Sequence, residues 1–317
     1  MDFEYRGKTW LRSGFRFPGL LEYIEKTKKE LSEPLQVPMY ATAGEAAYIH
    51  AISEKAATDP YLKRTEFNQI VRNLNKRYSD VHAVGYRENQ KLYHICLFVT
   101  EKMANTVPMI FLYTTNDSGY IYNASALDHR DKVWIYISSQ FFSEHGMLKD
   151  EELCYLLGHE LGHAQCHHST LTGVHDWGSS DMEYSADRAG LIACAQWIRK
   201  NDPACPMGQV AEQSVLYAAS LLQKIASAGT AEKGTINWAE FDYDSIQDAI
   251  HDIFKGASKM TASISTHPHT RHRIMAMVHF SQSQLFYRCL GEDPDQYKNL
   301  LSDQHLQNIM QYQLVSG

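Results

Sequence analysis

LLGHELGHAQCHHS, residues 156–169, places four histidines within ten positions. Histidines this dense are metal ligands, a solvated basic strip, or chance. Just upstream, Lys149-Asp150-Glu151-Glu152 puts acids where a helix macrodipole favours them. Leu153, Leu156, Leu157 and Leu161 follow at helical spacing, so a helix over 150–168 is expected. On that helix His159 and His163 stand one turn apart on one face, and two imidazoles so placed can reach one ion at about 2.0–2.1 Å. Glu160 is rotated by about 100° from His159 and can reach a water on such an ion without binding the ion itself.

The pentapeptide HELGH is short enough to arise by chance, and its setting adds weight. Gly158 and Gly162 are also four apart, and each costs about 1 kcal/mol of helix propensity relative to Ala. A paired glycine stripe is best explained by close approach of another backbone. Catalytic zinc sites use three protein ligands and leave one position for water. The candidates for the third are His167, His168, Glu183 and Asp187. His167 continues the same stripe, one step further from a shared ion, and reads as a residue of the cleft rim. His168 is off the stripe and reads as packing or capping. In MEYSADRAG, 182–190, Glu183 and Asp187 again lie one turn apart. Ser180-Asp181-Met182-Glu183 also fits a capping box. The reading favoured here makes Glu183 the third ligand and Asp187 the acceptor that fixes the His159 tautomer. The small residues Ala186, Ala189, Gly190 and Ala193 suit a helix packed on the glycine stripe.

The whole chain bounds the alternatives. Its 317 residues, 44% apolar and 21% charged, are ample for a buried core. A net charge of −7 argues against a nucleic-acid partner. Six cysteines show no C-x-x-C pair, which favours a reducing compartment. The N-terminal MDFEYRGKTW has no apolar h-region, and HICLFV and VPMIFLY fall far short of the roughly 20 apolar residues of a membrane span. A cytoplasmic protein without a transmembrane segment is expected.

Residues 1–40 read as an N-terminal arm with one short helix, LLEYIEKTKKELSEPL, ending before Pro34. Residues 41–317 read as one domain, with a cleft between an upper part, 41–170, and a helical lower part, 171–317. Helical periodicity runs from 43 to 78. Residues 81–138 change to a strand-like period. VPMIFLYTT and YIYNASAL flank the turn Asn116-Asp117-Ser118-Gly119 as a hairpin, and VWIYIS alternates as a third strand after a turn at 128–131. Helices are expected over 150–168, 180–199, 209–228, 245–258 and 270–289. The fold class is therefore α+β, mainly helical, with a small mixed sheet ahead of the active-site helix.

HELGH followed by EYSAD resembles the gluzincin clan of zinc peptidases, in the branch of HtpX-like proteins and CAAX prenyl endopeptidases. ISTHPHTRHRI, 264–274, is similar to that branch's Ser-Thr-His-Pro segment, and YNASAL, 122–127, to the clan's Asn-Ala edge-strand motif. The resemblance implies a zincin-like metallopeptidase, here a compact member without membrane helices, holding one zinc ion on His159, His163 and Glu183. It implies Glu160 as general base and His267 as the donor to the tetrahedral oxyanion, oriented with help from Arg273. It also implies that a peptide or unfolded protein substrate lies extended along the strand of Asn123 and Ala124. Two other readings remain open at this point: a catalytically silent peptide-binding module on the same fold, and a different zinc amidase of the deformylase type.

Overall fold

The computed structural model describes residues 38–40, 79–84, 87, 89–103, 108–114, 124–129, 132–142, 148–166, 179–228, 243–249, 251, 270–306 and 308–309. Most of the expected N-terminal arm and the helical pattern over 43–78 lie outside them. So do the expected helix beyond residue 251, His167, His168, Asn123 and His267.

In chain order the elements are β1 (Ser79–Ala83), α1 (Gln90–Met103), β2 (Met109–Thr114), β3 (Ala124–His129) and β4 (Lys132–Ser138). They continue with α2 (Asp150–Gln165), α3 (Ser179–Asn201), α4 (Met207–Ala228), α5 (Thr270–Ser281) and α6 (Gln284–Cys289). The result is α+β and mainly helical, with one mixed four-stranded sheet ahead of α2. Among the described residues, no helix is long and apolar enough to cross a membrane.

Three local expectations are corrected. The first concerns α1, which stands inside the stretch expected to be strands. Leu92, Ile95, Cys96, Val99 and Met103 are buried along it at helical spacing. The compact run HICLFV hides that period, because within six residues a buried helix face and a buried strand look alike. The second concerns the sheet, whose order is β1-β2-β4-β3. β2 does not form a hairpin with β3; it pairs with β4 in parallel, Met109 opposite Trp134 and Leu112 opposite Ile137. β4 is not half-buried by alternation either, since all of Val133–Ser138 is buried. A strand apolar on both faces takes an interior place, and the more polar ASALDH is left at the edge. β3 and β4 do pair antiparallel on either side of the turn expected near 128–131, His129 opposite Lys132. The third concerns 270–289, which is two helices rather than one. The hydroxyls of Ser281 and Ser283 turn back to the carbonyls of Val278 and Phe280. Ser283 then caps α6 by accepting the Phe286 N–H at 3.2 Å.

α2 is the central element. Glu152–Gly162 is buried on every side, between the sheet and α3. Its first turn departs from the simple dipole picture: Glu152 is fully buried, accepts the Lys149 N–H at 2.9 Å, and receives Ser220 Oγ at 2.6 Å and Lys224 Nζ from α4. Breaking one partner of such a buried pair typically costs about 3–5 kcal/mol, so this pair ties α4 to the start of α2. At the other end Tyr40 is buried and donates its hydroxyl to the Gly162 carbonyl at 3.5 Å.

The glycine stripe has the neighbour its spacing demands. A Cβ on Gly158 would lie 2.5 Å from Cβ of Ala193 and 3.0 Å from Cα of Gly190. One on Gly162 would lie 2.6 Å from Cβ of Ala189 and 3.1 Å from Cα of Ala186. Small residues thus face small residues, and α2 and α3 meet backbone to backbone. That closeness allows a glutamate on α3 to reach histidines on α2.

Candidate metal centre

His159 and His163 project from one face of α2, and Glu183 reaches them from the second turn of α3. Nε2 of His159 lies 3.0 Å from Nε2 of His163 and 3.5 Å from Oε2 of Glu183. Nε2 of His163 lies 3.6 Å from Oε1 of Glu183. Ligand atoms held at about 2.0–2.2 Å around a tetrahedral ion are separated by about 3.3–3.6 Å, so the cradle fits a first-row divalent ion with little adjustment. Among the described residues, these three form a group able to hold a metal ion.

Behind the cradle is a second set of contacts. Nδ1 of His159 lies 3.0 Å from Oδ1 of Asp187. A proton on Nδ1 would face that carboxylate and leave Nε2 of His159 with its lone pair toward the cradle. Asp187 is gripped from α5 by Arg273, with Nε to Oδ2 at 2.8 Å and Nη2 to Oδ1 at 2.5 Å. Nη1 of Arg273 also lies 3.2 Å from Oε2 of Glu183. Arg273, expected to support the site alongside Asp187, thus holds both acids of α3, while His267, which it was also expected to help orient, lies outside the described residues.

The electrostatics suit a cation. Burial alone would raise Asp187, but the Arg273 guanidinium overrides it and keeps that carboxyl well below the usual range. Burial also pulls on the Arg273 guanidinium, yet Asp187 and Glu183 hold it protonated. Burial together with the neighbouring His159 lowers His163 to about 3, so its ring is neutral at physiological pH. His159 is drawn down by burial and more than restored by Asp187 and Glu183. Metal ligation needs both rings neutral; two carboxylates would then face one guanidinium, a net negative charge that a divalent ion offsets.

Glu160 is buried on α2 next to His159. Ala124 is half-buried at the start of edge strand β3, which packs beside α2. Cys166 is buried against Tyr40 and stands outside the ligand group, as a small apolar residue would. Burial pushes the Cys96 and Cys289 thiols up to about 12, which makes them poor nucleophiles and poor ligands. One contributor escaped the sequence reading. Tyr155, buried one turn before His159, donates to Oδ1 of Asp187 at 2.6 Å. Its signal was the four-residue spacing 155, 159, 163 along the ligand stripe.

Comparison with family models, with curated proteins and with solved structures finds no match.

Proposed function

We propose that this chain is a zinc-dependent endopeptidase with a zincin-like fold, a compact relative of the HtpX and CAAX endopeptidase branch, acting on peptides or unfolded protein segments. The observation that carries the reading is the convergence of His159, His163 and Glu183 from two helices, with Glu160 adjacent in the chain. A bound zinc ion would supply Lewis acidity, bringing the pKa of a coordinated water toward about 7. His159, His163 and Glu183 would hold it, and Asp187 and Arg273 keep His159 and Glu183 aimed. Glu160 takes the proton of the attacking water and returns it to the leaving amine. His267 donates to the tetrahedral oxyanion. Edge strand β3 from Ala124 onward, with Asn123 before it, takes the extended substrate. Six free thiols accord with a reducing compartment, and the reading assigns the activity to the cytoplasm.

Hydrolysis of casein is the test. The purified protein is expected to cleave it, to stop when dialysed against a chelator, and to recover when one equivalent of zinc is returned. Cleavage that survives complete metal removal would refute the reading.

A further inference from the structure

Tyr155 is 1% exposed, and its environment gives its hydroxyl one strong partner. The hydroxyl lies 2.6 Å from Oδ1 of Asp187 and 3.4 Å from Sδ of Met277. A thioether is a weak acceptor, so the proton goes to the carboxylate. Two donors therefore meet at Oδ1, Tyr155 from α2 and Arg273 from α5, and Nδ1 of His159 stands 3.0 Å from the same oxygen. The guanidinium fixes the plane of the carboxylate but also leans toward Glu183. Tyr155, on the ligand's own helix, sets where that carboxylate stands over the imidazole.

The tyrosine has been given room. A Cβ at position 190 would fall 2.8 Å from both the carbonyl oxygen and ring Cδ2 of Tyr155, and 2.9 Å from its Cε2. Gly190 is three residues after Asp187, on the same face of α3. The glycine opens a notch through which the ring passes α3 and reaches the acid. A ring serving only to fill the core would be better as phenylalanine, because burying a hydroxyl carries a desolvation cost that only a needed bond offsets.

We propose that Tyr155 is a positioning residue of the metal centre, seated in the Gly190 notch to hold Asp187 on Nδ1 of His159. The inference rests on the metal-site reading above and extends it to a residue outside the motif. Its consequence is a fixed tautomer: Nδ1 carries the proton, and Nε2 keeps its lone pair for the ion.

Tyr155→Phe in the full chain tests it. The ring stays, and Asp187 keeps its bonds from Arg273, so no buried acceptor is orphaned and the metal-free protein should melt within a few degrees of wild type. Zinc affinity, measured by competition with a chromogenic chelator, is expected to fall at least about tenfold. In metal-free protein labelled at histidine nitrogens, the His159 Nδ1–H resonance, identified by its loss in His159→Gln, is expected to move. An unchanged zinc dissociation constant overturns the inference, as does an unmoved resonance. A wild-type protein that binds no zinc removes the reading of the site and this inference with it, an outcome distinct from equal binding by the two proteins.

Discussion

Glu160→Gln is expected to keep its zinc and lose casein hydrolysis by at least about a hundredfold, since a positioned general base contributes roughly 10²–10⁴ in rate. The side chain is 4% exposed on a helix buried on all sides, so its surroundings tolerate little change of volume. Glutamine matches glutamate in size and leaves α2 packed as before. What it removes is the capacity to take a proton from water. His159, His163 and Glu183 themselves are untouched. Hydrolysis and metal content should therefore separate. Equal hydrolysis by the two proteins would remove Glu160 from the proposed role. Loss of zinc along with activity would make it a structural member of the cradle instead.

Gly158→Ala combined with Gly162→Ala is expected to lower stability by several kcal/mol and to empty the site. Alanine in place of glycine adds about 1 kcal/mol of helix propensity at each position. Against that, each new methyl carbon falls 2.5–2.6 Å from an alanine methyl, where carbon atoms prefer about 3.5–4.0 Å. Overpacking costs typically about 1–3 kcal/mol per site, and the upper end applies because the neighbours are alanine methyls and backbone, which have no rotamer to change. The packing term wins. Relief requires α3 to move away from α2, and Glu183 moves with it. Urea unfolding and zinc content measured on the same samples check both halves. A variant unfolding at the wild-type urea concentration would show that the two helices are not held at this distance.

The parts of this account legible in the sequence are those carried by local periodicity. The four-residue spacings of 159 and 163, 158 and 162, and 183 and 187 each put two residues on one helix face. The glycines implied a close neighbour, and the small residues of MEYSADRAG supplied one. Asp187 was legible because a ligating imidazole needs an acceptor. The order of the strands was not, because pairing β2 with β4 rather than β3 depends on which strand must be covered on both faces, a property of the assembled sheet. α1 was missed because HICLFV is too short to separate two periods. Glu152 was read only as an acid favoured at a helix start; its partner Lys224 comes from α4, and no local pattern joins them. Tyr155 was not singled out, since its hydroxyl acquires a purpose only when α3 delivers Asp187.

The central claim is that a carboxylate from α3 completes a three-point metal site begun by two histidines of α2. Metal analysis of wild type and Glu183→Ala, both purified folded and equilibrated with the same excess of zinc before gel filtration, tests it most directly. The account predicts one zinc per chain in the wild type and almost none in the variant. Equal zinc in both, or none in the wild type, would contradict it.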